Sequence, residues 1–160
     1  MIRNVTQNDV PALCEIYNHY VSETVITFEE IPILHEEMSR RVDSVTSRFP
    51  WLVFEQQGAV VGFAYAAQWK ERSAFRYSVE SSVYVSHEAV GQGIGTALYK
   101  ALISKLHAAE VHSVIGGISL PNPQSVKLHE KLGFEKTGHF HEVGRKFDQW
   151  IDVGYWELTF

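Results

Sequence analysis

The stretch SVYVSHEAVGQGIGTALYKALI, Ser82 to Ile103, decides the fold. A run of β-branched and aromatic residues stops abruptly, glycine recurs at Gly91, Gly93 and Gly95, and an amphipathic helical pattern follows. That succession reads as strand, glycine-rich turn and helix. Glycine in a helix start costs about 1 kcal/mol relative to alanine, so three of them call for a reason. One reason is an anion site, since successive N–H groups at a helix N-terminus, with no Cβ in the way, attract negative charge. The other is tight packing of the helix on the strand, and the loop alone leaves both open. Two familiar phosphate motifs fail. The dinucleotide fingerprint, counted from Gly93, meets Leu98 at its third glycine, and a P-loop needs a lysine where none occurs before Lys100.

The rest of the chain frames this unit. Its 160 residues fit a single domain, 1–160, with a proper core. A net charge of −5 argues against a general nucleic-acid or membrane-surface binder. No apolar run approaches the ~18 residues of a membrane span, and the N-terminus lacks a signal-peptide pattern. One cysteine, Cys14, excludes an internal disulfide and suits a reducing cytoplasm. Its helical spacing with Val10, Leu13, Tyr17 and Val21 puts it in the core, without a basic neighbour to activate it.

Upstream, MIRNVT reads as a first strand, Thr6–Asp9 caps a helix to about Val21, TVITFEE looks extended and ILHEEMSRRVDSV helical. WLVFEQQGAVVGFAYAAQW is a hairpin turning at Gln57-Gly58. A polar loop, KERSAFR, precedes the strand Val79–Val85 and the glycine turn. The helix then runs to about His107, followed by the strand SVIGGIS, a short helix over 122–132 and a final pair of strands. Helices alternate with strands in the middle and hairpins close the ends, so the sheet is expected to be mixed, in an α/β protein.

About 30 residues after the glycines, SLPNPQSVKLHEKLGFEKTG sets Asn122, a short helix and LGF in order. With VYVS…VGQGIGTALY, this resembles the GCN5-related N-acetyltransferase (GNAT) superfamily. PWLVFE, AYAAQWKERSAFRYSVESSVYVS and VGRKFDQWIDVGYWEL narrow the resemblance to the phosphinothricin and methionine-sulfoximine N-acetyltransferases. It implies a mostly antiparallel twisted sheet of six to seven strands with flanking helices. Two central parallel strands splay to admit acetyl-CoA. The pyrophosphate is then held by main-chain amides of Gly91, Gln92, Gly93, Ile94, Gly95 and Thr96, the pantetheine arm pairs with Val83, Tyr84 and Val85, and Asn122 and Ser125 reach the cofactor from the other side. The superfamily usually has Arg or Gln at Val90, a departure expected to weaken cofactor binding. Many relatives carry a tyrosine acid where this chain, like the phosphinothricin subgroup, has His129. The resemblance also implies a homodimer.

Acetyl transfer needs a neutral amine, yet an amine of pKa near 9 is only about 1% neutral at pH 7, a cost of roughly 2.7 kcal/mol. A carboxylate beside it can take the proton. Glu80 is the candidate, because a carboxylate is depleted in so apolar and hydroxylic a strand as YSVESSVYV. His129 would donate to the departing sulfur, and the Tyr84 or Val85 N–H would meet the oxyanion. Lys70, Arg72 and Arg76 offer a clamp for an acidic substrate, Arg72 first, with Phe28, Glu29 and Phe75 lining the cavity by family analogy. Trp150, Tyr155 and Trp156 read as core or dimer interface. His139 and His141 share one side of a strand, but spacing supplies no third ligand, so no metal is expected. The expected chemistry is direct transfer from acetyl-CoA to a small amino-acid-like amine.

Overall fold

The computed structural model describes Met1–Phe160. Its strands are β1 (Ile2–Asn4), β2 (Trp51–Gln56), β3 (Ala59–Gln68), β4 (Ser78–Val85), β5 (Ser113–Leu120), β6 (Glu135–Lys146) and β7 (Gln149–Thr159). They form one seven-stranded sheet in the order β1-β2-β3-β4-β5-β7-β6. Every neighbouring pair is antiparallel except β4 and β5. Helices α1 (Val10–Glu23) and α2 (His35–Thr46) cover one face, and α3 (Ile94–Ala108) packs on the other, ahead of the short α4 (Pro123–Lys131). No helix is long and apolar enough to cross a membrane.

Alternation along the strands sorts side chains between two cores. In β2, Trp51 and Val53 join Leu13, Val21, Met38 and Phe63 under α1 and α2. Leu52, between them, joins Val79, Leu98, Leu102 and Val114 under α3. Cys14 is buried in the first of these cores. The hairpin turn falls at Gln57-Gly58, both with positive φ (51° and 80°), as a tight two-residue turn between twisted strands demands. Phe147-Asp148 turns β6 into β7 with the same backbone (51° and 58°).

TVITFEE differs from expectation. Residues 24–34 are irregular, not a strand. Their polar backbone groups are met by side chains instead of a ladder. Asn18 donates to the Ile33 carbonyl at 2.9 Å and accepts its N–H at 2.8 Å, while Lys146 Nζ donates to the Thr27 carbonyl at 2.8 Å. Pro32 has no N–H to offer a neighbouring strand. β-propensity here yields to tertiary context. The segment lies across the end of β6, where a Cβ on Gly144 would stand 2.3 Å from the Phe28 ring, so glycine alone lets it dock.

Candidate active site

β4 and β5 pair only from Ser78↔Ser113 to Glu80↔Ile115 and then part, as a splayed parallel pair should. The ladder between β3 and β4 shows which backbone groups face the gap. Trp69 N donates to Ser78 O and Ser86 N donates to Val61 O, with an unbroken register between them. The even-numbered residues of β4 therefore bond to β3, and the odd ones, Val83 and Val85, turn their N–H groups toward the opening. The Tyr84 N–H is spent on β3, so of the two oxyanion donors expected from sequence only Val85 faces the gap. Its carbonyl is occupied, accepting from Tyr20 Oη at 2.5 Å.

A cleft of about 350 Å³ opens beside this gap. Val83, Val85, Gly91, Gly93, Ile94, Gly95, Thr96, Asn122 and Ser125 line it, as the resemblance implies; Gln92 does not. The N–H groups of the run from Val90 to Thr96 donate to no backbone carbonyl, and the first bond of α3 is Ala97 N to Gly93 O at 3.0 Å. A row of free donors at the positive end of a helix suits a pyrophosphate. The three glycines have two different reasons. Gly91 and Gly93 adopt φ of 85° and 79°, a left-handed backbone that other residues strain to reach. Gly95 is regular helix, where a Cβ would sit 3.7 Å from Val85, so its absence only widens the cleft. Asn122 caps α4, its Oδ1 accepting Ser125 N–H at 3.1 Å, which leaves its Nδ2 hydrogens for a ligand. Lys127 and Lys131, one turn apart on α4, also line the cleft and supply the positive charge that Val90 lacks.

Between the parted strands runs a narrow slot of about 60 Å³, lined by Ser81, Ser82, Tyr84, Tyr99, Gly117, Ser119 and His129 among others. Alternation along β5 turns Gly116 toward His129 and Gly117 toward Glu80, on opposite sides of the sheet. Two adjacent glycines of β5 make room for both. A Cβ on Gly116 would lie 2.5 Å from His129 Nε2, and one on Gly117 would lie 3.2 Å from Glu80 Oε1. Burial raises the Glu80 carboxyl above its ordinary range, partly offset by the Lys70 charge. A carboxylate that gains by accepting a proton is a better base. Burial pushes the His129 imidazole the other way, toward its neutral form. Ser119 Oγ is buried without any hydrogen-bond partner, a cost of about 1–3 kcal/mol that a ligand amide or carbonyl in the slot would relieve.

The expected substrate groups fall on two segments, the 70–76 connection between β3 and β4 and residues 28–29. Lys70 Nζ rests over the Trp69 ring at 4.8 Å. Arg72 begins a short exposed turn, and Phe75 is exposed within it. Arg76 folds back, donating to the Ser73 carbonyl at 3.1 Å and lying over Tyr77. Glu29 is held at both oxygens by Arg41, at 2.6 and 2.9 Å, and accepts the Tyr17 hydroxyl, so Arg41 holds it ionised. Phe28 stands against β6 at Gly144. Trp156 is core, Tyr155 stands beside Glu80 across Gly117, and Trp150 is exposed.

The third ligand that spacing did not supply to His139 and His141 comes from β7, as Asp152. Its oxygens are already engaged, however, accepting His139 Nε2–H at 2.8 Å and Glu142 N–H at 2.7 Å. These bonds clamp β6 where its register shifts between Phe140 and Gly144.

Sequence reading missed Tyr20, Ser81, Tyr99, Ser119, Lys127, Lys131 and the two glycines of β5. The Gly-Gly pair inside SVIGGIS was the available signal, since glycine within a strand marks a close approach.

Comparison with known proteins agrees with this geometry. The family model described as "Acetyltransferase (GNAT) domain" matches residues 2–154. A phosphinothricin N-acetyltransferase of Streptomyces viridochromogenes is 41% identical over 99% of this chain and 87% of its own length. An L-methionine sulfoximine/L-methionine sulfone acetyltransferase of Salmonella typhimurium is 34% identical over 98% of this chain and 92% of its own. Among solved structures, a GNAT-superfamily phosphinothricin acetyltransferase from Sinorhizobium meliloti, in complex with acetyl-CoA, superposes with a TM-score of 0.97. It is 35% identical and covers 99% of this chain and 87% of its own. By its sequence match, its splayed β4–β5 pair and its glycine turn, this chain belongs to the GNAT acetyltransferase family.

Proposed function

We propose that this protein transfers the acetyl group of acetyl-CoA directly to the amino group of a small amino-acid-like substrate, such as phosphinothricin, methionine sulfoximine or a related L-amino acid. One observation carries the reading. The cleft with its row of free N–H donors opens beside the gap between β4 and β5, and the Glu80 carboxylate stands where that pairing ends, against Gly117 of the slot.

Acetyl-CoA supplies an activated thioester, so the protein's tasks are to hold it and to manage protons. The free amides from Val90 to Thr96, with Lys127 and Lys131 opposite, take the phosphates. Val83 faces the pantetheine arm along the gap, and the Val85 N–H takes the acetyl carbonyl oxygen. From the other face Glu80 removes the ammonium proton, directly or through a water, and His129 sits at the sulfur end of the slot. Arg72, with Lys70 behind it, holds the acidic end of the substrate. Free of internal ion pairs, Arg72 has its planar fork available for a carboxylate or phosphinate.

The reading extends to a cytoplasmic homodimer, supported by the exposed Phe140, Val143, Phe147 and Trp150 on the last two strands, with a role in detoxifying toxic amino-acid analogues. A thiol-release assay over L-amino acids and their sulfoximine, sulfone and phosphinic analogues tests it. Release with acidic amino-acid analogues and none with polyamines or peptide N-termini is expected. Acetyl-CoA binding without release for any amine would instead make the protein a CoA sensor.

A further inference from the structure

Resting on the acetyl-transfer reading above, we propose that the group meeting the leaving sulfur is the Tyr99 hydroxyl, and that His129 acts on it as a positioning residue. The hydrogen-bond chain at the slot is buried at Ser81, Tyr99 and His129, and its protons follow from which partners can only accept. His129 Nδ1 lies 2.8 Å from the Ser125 carbonyl, which can only accept, so Nδ1 carries a hydrogen. The ring is buried among Tyr99, Phe134 and the β5 backbone, and burial keeps it neutral. Nε2 is therefore a bare lone pair, and the Tyr99 hydroxyl at 2.9 Å donates to it. Ser81 Oγ stands 2.5 Å from Tyr99 Oη, whose own hydrogen is spent on His129, so Ser81 donates to it in preference to the Ile115 carbonyl at 3.4 Å.

In this arrangement the neutral imidazole has no hydrogen to give toward the slot. The mobile hydrogen there belongs to Tyr99, which lines the slot beside Ser81 and His129. Tyr99 is the one large polar side chain of α3 turned into this core, at 0% exposure. Leu98, Leu102 and Leu106 around it are apolar.

When the carbon–sulfur bond of the thioester breaks, its electron pair stays on sulfur. The Tyr99 O–H swings from His129 Nε2 to that thiolate and stabilises it by a hydrogen bond. No proton changes owner at this step. The phenol is a far weaker acid than a thiol, because burial raises it further above its ordinary value of about 10 against about 8.5 for the thiol. The nitrogen, cationic once its bond to the acetyl carbon has formed, gives its second proton to water, and the sulfur takes one from water as CoA leaves. His129 holds the hydroxyl in place before the bond breaks and receives it back afterwards. Gly116, which leaves the ring room against β5, is part of the same device.

The experiment compares Tyr99→Phe, His129→Gln and His129→Leu, with kcat for the best amine found, acetyl-CoA affinity by calorimetry, and folding by near-UV circular dichroism. Tyr99→Phe is expected to lose roughly 10- to 100-fold in kcat, the scale of one lost transition-state donor, with acetyl-CoA affinity unchanged. The glutamine oxygen can still accept from Tyr99, so His129→Gln should keep kcat within about fivefold of wild type. Leucine cannot accept, and His129→Leu should fall toward the Tyr99→Phe value. The glutamine–leucine pair carries the same test without altering Tyr99, should Tyr99→Phe fold poorly. A wild type that turns over beside a Tyr99→Phe variant of full activity overturns this inference alone. So does a His129→Gln variant as slow as His129→Leu, since His129 would then be the acid itself. A wild type without turnover for any amine overturns it together with the acetyl-transfer reading.

Discussion

Gly116→Ala tests the packing that the slot depends on. The added Cβ would stand 2.5 Å from His129 Nε2 and 2.7 Å from its Cδ2. Ordinary contact requires the ring to retreat by roughly 1 Å. It cannot retreat freely, because Tyr99 and Phe134 pack against it edge-on at 5.0 and 5.1 Å. Overpacking of this kind costs about 1–3 kcal/mol, and losing the bond between Tyr99 and His129 adds about 0.5–1.5 kcal/mol. A total of about 2–4 kcal/mol lowers the melting temperature of a chain this size by roughly 5–15 °C. Gly138→Ala is the control. A Cβ there meets nothing within 4 Å and its φ is not positive, so it should melt within about 1–2 °C of wild type. Differential scanning calorimetry gives both numbers, and histidine NMR reports the ring. A Gly116→Ala protein melting with the control, its His129 resonances unmoved, would refute the packing argument.

Other outcomes follow from the same geometry. Gly93→Asp puts a carboxylate and a strained left-handed residue at the helix start, and should raise the acetyl-CoA Kd at least tenfold in a protein that still folds, measured by calorimetry. Glu80→Gln should lose most of its rate at low pH and recover part of it as the free amine appears at high pH; a uniform loss would make Glu80 a binding residue. The same variant should be more stable than wild type at pH 7. The Glu80 pKa is higher folded than unfolded, so its ionisation is a burden that grows as pH rises above about 4 and is absent below, and the stabilisation should vanish in acid. Arg72→Ala should lower kcat/KM roughly 10- to 100-fold for an acidic amine. Amidating the substrate's acid should then cost the variant much less than the wild type.

The strand, glycine turn and helix from Ser82 onward were legible because period and punctuation agree there: β-branched alternation, glycines, then a 3.6-residue apolar repeat. Glu80 stood out in the sequence as a carboxylate in a largely apolar and hydroxylic strand, and the structure shows it shielded enough for burial to raise its carboxyl. Residues 24–34 misled because their extended composition is overruled by bonds from Asn18 and Lys146, partners that lie 15 and 119 residues from the groups they bond. Tyr99 was hidden for a related reason. On the helix pattern it is one more core aromatic, and only the approach of β4 and α4 shows that its hydroxyl has two polar neighbours. The spent Tyr84 N–H could not be read from sequence at all, since it depends on ladder parity set by the hairpin's register. Asp152 beside His139 is the same lesson, a contact made across strands rather than along one.

Direct, amine-dependent acetyl transfer across the gap between β4 and β5 leaves a signature in its products. The protein is incubated with acetyl-CoA and L-methionine sulfoximine, and free thiol and N-acetyl product are measured together by mass spectrometry. Equal amounts of the two are expected, and no acetylated protein when the amine is withheld. Bound acetyl-CoA with neither product, or an acetyl group found on the protein itself, would contradict it.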